Sequence, residues 1–183
     1  MSKVKLSEVA KIITKGTTPT TVRGSFLTSG INFVKSESIG QRKYLDDSIF
    51  QYIDLETDER LKRSRLQEND LLFSIAGAYL GKLSIVKQEN LPANTNQAVG
   101  IVRLDKSKAD VDYLYYFFSQ KYVNDYINQL SSQSSQPNLN LTLLGDLEFT
   151  FKSNSEQQKI ASVLSALDDK IELNNRINDN LVH

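Results

Sequence analysis

The sequence has 183 residues, and 39% of them are hydrophobic, which is enough for one buried core and favours a single domain with an appended element. It contains no cysteine, and its one histidine is the last residue, His183, so disulfides, thiolate metal sites and histidine-based catalysis are excluded. The 22 basic and 22 acidic residues balance, but residues 1–45 contain eight basic and two acidic side chains, and this net charge of +6 predicts a positively charged binding face.

The first third of the chain is predicted to alternate short elements with polar loops. Residues 5–13 place their apolar side chains on one helical face and predict a short helix. Residues 15–23 contain glycine, proline and several threonines, which predict a loop with many hydroxyl groups. Residues 31–34 indicate a strand, residues 49–55 a short strand or turn, and residues 58–66 a charged surface helix.

The middle of the chain is predicted to supply most of the core. Residues 71–86 indicate two buried strands around a glycine-containing turn, and residues 94–104 a polar turn that enters another strand. Apolar and aromatic residues repeat at helical spacing over 111–130, which indicates one helix or a pair of helices packed on the core. Residues 131–140 predict a polar loop and residues 141–151 a last strand. Because helices and strands are mixed without regular alternation, we expect an α+β fold.

The last stretch of the chain, residues 155–181, contains neither glycine nor proline and predicts one long helix. Either Ser153 with Glu156 or Ser155 with Gln158 can form the capping box at its start. At about 1.5 Å per residue the helix spans about 40 Å, so we expect part of it to project from the domain.

Apolar and amide side chains at steps of three and four form one stripe along this helix, which we call the helix stripe. Its members are Ile160, Leu164, Leu167, Ile171, Asn174, Asn178 and Leu181. The asparagines at 174 and 178 stand where leucine would be more stabilising, and polar residues at such positions fix the register of a helix pair. The stripe therefore predicts a dimerisation surface. The alternative is that it ends near Ile171 and that the asparagines mark a frayed terminus.

No catalytic, metal or cofactor site is expected. Residues 77–82 do not match a nucleotide phosphate loop, because Leu83 stands where serine or threonine is needed for the metal ion. The cluster of Asp168, Asp169 and Lys170 lies inside the predicted helix, where such charges usually face water. Without a signal peptide or membrane-length apolar segment, we expect a soluble, cytoplasmic and non-enzymatic protein.

Five segments rich in hydroxyl, amide and basic side chains remain, namely residues 15–23, 35–43, 74–82, 94–97 and 131–140. Asparagine and glutamine match adenine edges, arginine and lysine match guanine, and lysine, serine and threonine bind phosphates. The combination suggests a DNA-binding protein.

Several of these segments resemble the specificity subunit of type I restriction-modification systems. The resemblance includes Gly16-Thr17-Thr18-Pro19, Asn69-Asp70-Leu71-Leu72-Phe73-Ser74 and Asn94-Thr95-Asn96-Gln97. It is most specific in Glu156-Gln157-Gln158-Lys159-Ile160-Ala161 with the run from Leu164 to Ile171, which is similar to the conserved spacer helix of that family.

The resemblance implies a target recognition domain over residues 1–152 that binds double-stranded DNA, followed by a spacer helix over residues 153–183. By the same resemblance, the spacer is expected to dock onto modification (methyltransferase) subunits and, through them, restriction subunits. A complete subunit carries two recognition domains and two spacers, so this chain is a half subunit or a fragment. Two copies paired through antiparallel helices would read a bipartite site, and we expect a homodimer with a coiled-coil-type helix.

On this interpretation the chain is a non-catalytic DNA-recognition subunit that needs no cofactor. The predicted DNA contacts are Lys15, Thr17, Thr18, Arg23, Lys35, Ser36, Ser74, Lys82, Asn94, Asn96 and Gln97. The competing hypothesis is a DNA-silent assembly protein that binds the modification subunits through its C-terminal helix.

Overall fold

The computed structural model describes residues 2–40, 42–78, 80–131 and 138–181. The helices within these ranges are α1 (Leu6–Val9), α2 (Leu55–Arg60), α3 (Val111–Phe118), α4 (Lys121–Ser131), α5 (Leu141–Gly145) and α6 (Asn154–Leu181). The strands are β1 (Lys3–Lys5), β2 (Ala10–Lys15), β3 (Ile31–Val34), β4 (Gln51–Ile53), β5 (Leu71–Ser74), β6 (Leu83–Ile85), β7 (Ala93–Thr95), β8 (Val99–Leu104) and β9 (Glu148–Thr150). The predicted mixture of helices and strands is therefore confirmed.

The described strands form a four-stranded sheet in the order β2-β8-β5-β6, a three-stranded sheet in the order β4-β3-β7 and a two-stranded sheet of β1 and β9. Neighbouring strands run antiparallel except for β3 and β7, which run parallel. This parallel pair matters for function, because parallel strands end at the same edge of a sheet.

The four-stranded sheet is buried on both faces. Phe73 of β5 packs with Phe118 of α3, at 5.7 Å between ring centroids, while the adjacent Leu72 belongs to the core on the other face. Alternate residues of a strand point to opposite faces, which explains why β5 reads as an uninterrupted apolar run. The aromatic stripe of residues 111–130 packs in the core as expected, although Tyr126 is exposed.

Four predictions of secondary structure are wrong, and tertiary pairing explains the first two. The helix predicted over residues 5–13 ends at Val9, because the β-branched residues that follow pair with β8. The turn predicted at residues 94–97 begins two residues later, because Asn94 and Thr95 belong to β7. The strand predicted over residues 141–151 is α5 followed by β9, and the side chain of Asn140 caps α5 by accepting a hydrogen bond from the Leu143 amide. The helix predicted over residues 58–66 instead spans Leu55–Arg60 as α2 and is followed by a 3₁₀ turn at Lys62–Ser64.

The predicted terminal helix is present as α6, and the Ser153 and Glu156 alternative forms its cap. The Glu156 carboxylate accepts hydrogen bonds from the Ser153 amide at 3.0 Å and the Ser153 hydroxyl at 2.7 Å. No helix in the described part of the chain is both long and apolar enough to cross a bilayer.

A buried amide joins β7 to the segment around α2. The Asn94 side chain is inaccessible to solvent, and its Nδ2 donates to the Asp58 carboxylate at 3.0 Å and the Leu61 carbonyl at 3.2 Å. Its Oδ1 accepts from the Ser64 hydroxyl at 2.7 Å and from the Thr95 amide at 2.9 Å. All the hydrogen-bonding capacity of this side chain is used inside the domain.

We expect Asn94→Ala to lower the free energy of unfolding by roughly 2–4 kcal/mol, because it leaves several buried polar groups without partners. Equilibrium urea denaturation measures this change. The matched control is the exposed Gln88→Ala, which is expected to stay within about 0.5 kcal/mol of the unchanged protein. Equal stabilities of the two variants would contradict the structural role of Asn94.

Candidate nucleic-acid interface and assembly helix

Three loops leave the four-stranded sheet at the same edge. The last residue of β2, Lys15, lies opposite Gly100 near the start of β8, and the last residue of β5, Ser74, lies opposite Val99. Strand β6 begins at Leu83, opposite Phe73. The loop after β2, the loop between β5 and β6, and the loop before β8 are therefore neighbours.

The parallel strands β3 and β7 bring two further segments to this edge. Val34 pairs with Thr95, so the residues that follow each strand emerge side by side, and the Thr95 hydroxyl donates to the Val34 carbonyl at 2.8 Å. The loop after β2 touches the same place, because the Thr17 amide donates to the Thr95 carbonyl at 3.0 Å. A Cβ on Gly16 would lie 2.1 Å from the Thr95 carbonyl oxygen, so only glycine allows this approach.

The remaining polar segments also meet this edge. Gly40 has a φ of +81°, and a Cβ on it would lie 2.3 Å from the Lys82 Cβ, so the segment at Gly40 packs against the loop between β5 and β6. Asn138 bridges to Ala76. Residues 132–137 of the predicted loop lie outside the described residues. We call the convergent segments, residues 15–18, 35–40, 75–78, 80–82 and 96–98, the loop rim.

Most of the predicted DNA contacts lie on the loop rim. Lys15, Lys82 and Gln97 are exposed there, and Thr17, Thr18, Lys35, Ser36 and Asn96 are half-buried. The Thr18 hydroxyl donates to the Gln97 side-chain carbonyl, which ties two of the loops together. The Lys35 ammonium lies 4.7 Å from the ring centroid of Phe26. Lysine, hydroxyl and amide groups are thus gathered within one surface.

Arg23 is exposed but lies beyond the loop rim, on the part of its loop that packs beside α2. It follows a 3₁₀ turn over Pro19–Val22, and the Arg60 guanidinium of α2 donates to the Val22 carbonyl at 2.9 Å. The backbone of Arg23 is in the left-handed region, with a φ of 60°.

Two predicted contacts are buried, and we correct them. Asn94 uses its amide in the interior network described above, and Ser74 is inaccessible, with its hydroxyl 3.4 Å from the Ala76 carbonyl. Burial leaves neither side chain accessible to a duplex, so both drop out of the contact set. Their positions beside exposed rim residues explain the error, because a polar sequence segment does not reveal which of its side chains point inward.

Sequence reasoning missed Arg63. Its guanidinium donates to the Thr17 hydroxyl at 3.5 Å, which places this cation beside the loop rim. The signal was the concentration of four basic residues in positions 60–65. Arg60 pairs with Glu56, and Arg65 pairs with Asp58 and Glu59.

Helix α6 docks on the body through a narrow polar face. Gln157 is fully buried and accepts the Asp110 amide at 2.9 Å, and Ala161 joins the main core. Further along, Ser165 accepts the Lys43 ammonium at 2.8 Å and Asp168 accepts the Tyr116 hydroxyl at 2.6 Å. This docking face lies about 100° around the helix from the helix stripe.

The helix stripe remains available to a partner. Ile160, Leu167, Ile171, Asn174 and Asn178 are exposed, and Leu164, nearest the docking face, is half-buried. The side chain of Leu181 lies outside the described residues. Every side chain described after residue 168 is exposed, so the end of α6 projects from the body. An exposed apolar stripe of this length is typical of an interaction surface.

In the described ranges no group of three or more histidine, cysteine, aspartate or glutamate side chains is arranged to hold a metal ion.

Several proteins are similar to this chain in sequence or in fold. The chain is 27% identical, over 175 residues, to the type I restriction enzyme MjaIX specificity subunit of Methanocaldococcus jannaschii. This alignment covers 96% of the chain and 39% of that subunit. Its fold matches the HsdS subunit from Thermoanaerobacter tengcongensis, with a TM-score of 0.69 and 14% identity over 98% of the chain and 45% of that subunit. It also matches a chain from a type I R-M system studied for complex assembly and conformational transition, with a TM-score of 0.71 and 16% identity over 98% of this chain and 41% of that one.

The chain thus spans less than half the length of the proteins it matches. The model of the type I restriction modification DNA specificity domain family matches residues 1–183. This match confirms the predicted resemblance to type I specificity subunits. The chain therefore belongs to the type I restriction modification DNA specificity domain family.

Proposed function

We propose that the chain binds double-stranded DNA through the loop rim and directs modification subunits, and through them restriction subunits, to a bipartite site. The observation that carries this proposal is the convergence of separate polar segments on one edge of the domain. Segments far apart in sequence form a continuous surface of lysine, threonine, asparagine and glutamine side chains, which is the chemistry that contacts phosphates and base edges.

Different members of the contact set have different roles. Lys15, Lys35, Lys82 and Arg63 neutralise phosphates, which sets affinity and the position on the duplex. Asn96 and Gln97 present amides suited to adenine, and the hydroxyls of Thr17, Thr18 and Ser36 bind phosphates or bases. Arg23 contacts the backbone farther along the duplex. These assignments rest on accessibility and chemistry.

The helix stripe supports homodimerisation. Two antiparallel copies of α6 would bury their exposed apolar residues against each other and place one loop rim at each end. The 28 residues of α6 span about 42 Å, which is close to the ~34–36 Å of one DNA turn. A twofold dimer of recognition domains then reads a bipartite palindrome.

The second candidate is a DNA-silent assembly protein that occupies modification subunits through α6, and the same exposed stripe favours it. A random-sequence duplex pool, offered to the chain with and without methyltransferase subunits, discriminates the two. Selective recovery of duplexes supports DNA recognition, and recovery of none in either case supports the assembly protein.

We expect Lys15→Gln or Lys35→Gln to weaken binding to a selected duplex and to reduce the slope of log affinity against log salt by about 0.9, because one phosphate contact is lost. Fluorescence anisotropy titrations at several salt concentrations measure this slope.

The matched control is Lys106→Gln. Lys106 is exposed and follows the other end of β8, about 17 Å along the strand from the loop rim. A salt slope that Lys106→Gln changes as much as Lys15→Gln would count against the rim as the contact surface.

For the dimer, we expect Ile171→Asp to yield monomers, because a charge would enter the apolar contact between helices. The control is Leu173→Asp, two residues away, since Leu173 and Ile171 are both 57% exposed but face nearly opposite sides of α6. Sedimentation velocity distinguishes the species. Dissociation by both variants, or a monomeric unchanged protein, would contradict pairing through the helix stripe.

A further inference from the structure

A buried lysine connects the recognition domain to α6. Lys43 is only 7% exposed, and its Nζ lies 2.7 Å from the Asp112 carboxylate of α3 and 2.8 Å from the Ser165 hydroxyl of α6. The same ammonium lies 5.3 Å and 5.1 Å from the ring centroids of Tyr44 and Tyr116. One cation therefore contacts both helices and two aromatic rings, an arrangement that requires a fixed position.

Tyr116 makes a second connection at the same place. Its hydroxyl donates to the Asp168 carboxylate of α6 at 2.6 Å and lies 3.4 Å from the Ser165 hydroxyl. Burial and then the hydrogen bond to Asp168 raise the pKa of Tyr116 to about 12, so the phenol remains a donor. Burial alone would lower the pKa of Lys43, but the hydrogen bond and charge of Asp112 outweigh it and raise the pKa above the ordinary lysine value.

These contacts lie where α6 leaves the body. Asp168 is half-buried, and the described side chains beyond it are exposed. On the other side, the Lys43 carbonyl accepts the Ile85 amide at 2.8 Å, which fixes the lysine to the edge of the four-stranded sheet. The segment that begins at Lys35 on the loop rim ends at Lys43, so a short length of chain joins the rim to this junction.

We propose that Lys43, Asp112, Tyr116, Ser165 and Asp168 form a latch that fixes the direction of the projecting part of α6 relative to the loop rim. Lys43 is then a positioning residue that determines the number of base pairs between the two half-sites. The latch is a property of the single chain, while its effect on DNA rests on the proposed function.

The geometry makes this spacing sensitive to small changes at the latch. Residues 169–181 span about 20 Å, so a tilt of about 10° at residue 168 moves the end of the helix by about 3.5 Å. The rise per base pair is about 3.4 Å. A tilt of this size in each copy therefore shifts the two rims relative to each other by a distance comparable to the rise of one base pair.

The first test measures the direction of the helix without DNA. The chain has no cysteine, so spin labels can be attached to cysteines introduced at Glu68 on the body and Leu173 on α6, both exposed. Diluting labelled with unlabelled chains restricts the measured distances to those within one copy. Lys43→Met is expected to shift or broaden the distance distribution, and Lys43→Arg, which keeps the cation, to restore it partly.

The control for this test is Lys5→Met. Lys5 forms an ion pair with Asp146 at 2.8 Å, similar in length to the pair of Lys43 with Asp112, but it is half exposed and its partner lies outside α6. Thermal unfolding verifies that each variant is folded. A second variant, Tyr116→Phe, is a milder change, because it removes only the hydroxyl that donates to Asp168. A folded Lys43→Met and a folded Tyr116→Phe that both keep the unchanged distance distribution would overturn the latch.

The second test selects duplexes from a random pool with the unchanged chain and with Lys43→Met. We expect the spacing between half-sites to change or broaden while each half-site sequence stays the same. General destabilisation would reduce the amount of bound DNA without moving the spacing. An unchanged spacing in bound duplexes would overturn the role of Lys43 in specificity. Failure of the unchanged chain to bind any duplex would overturn the proposed function, and the spin-label distances would still test the latch.

Discussion

The close approach of Gly16 to β7 is the contact on which the shape of the candidate interface depends. The four-stranded and three-stranded sheets meet here. The Thr17 amide donates a hydrogen bond to the Thr95 carbonyl, and the Thr95 hydroxyl donates one to the Val34 carbonyl. A side chain at Gly16 would separate the loop after β2 from the β7 backbone. Without this contact the polar loops would belong to two sheets that expose them independently, and no single surface would result. The hydrogen bonds of Asn94 reinforce the same junction, because they hold β7 to the segment around α2.

The division of α6 into two faces is the second constraint. A helix that lay on its domain through its apolar stripe would leave little of it for a partner. This helix docks through Gln157, Ala161, Ser165 and Asp168, and Ile160, Leu167 and Ile171 stay exposed. Hydrogen bonds suit this docking task, because they fix orientation more sharply than apolar contact does. Apolar area suits the exposed stripe, because association between chains gains most from burying it. The arrangement is consistent with a helix that is both positioned by its own domain and able to pair.

Local features of the sequence predicted local features of the structure well. The capping box of Ser153 and Glu156 and the exposed periodicity of the helix stripe depend only on residues three or four apart. Most of the failures involve distant partners, and α5, which Asn140 caps locally, is an exception. Asn94 is buried because Asp58 and Ser64, 36 and 30 residues earlier, surround its amide. The strand after α1 forms because β8 pairs with it from the other half of the chain. Arg63 lies beside the loop rim because the fold brings Thr17, 46 residues earlier, next to its guanidinium.

Charge provides a further reason why two recognition domains would act together. The net charge of residues 1–45 overstates the positive charge available to DNA, since Lys3 and Lys5 pair with Glu148 and Asp146 and Lys43 is buried against Asp112. On the proposed function, one rim would neutralise few phosphates, and we expect it alone to bind DNA weakly at physiological salt. Joining two such rims through α6 makes the second binding event intramolecular, with an effective concentration that exceeds that of free protein only if the geometry fits the duplex. In the proposed dimer, affinity and correct spacing would be gained together, so a rigid junction at Lys43 would contribute more than additional positive charge.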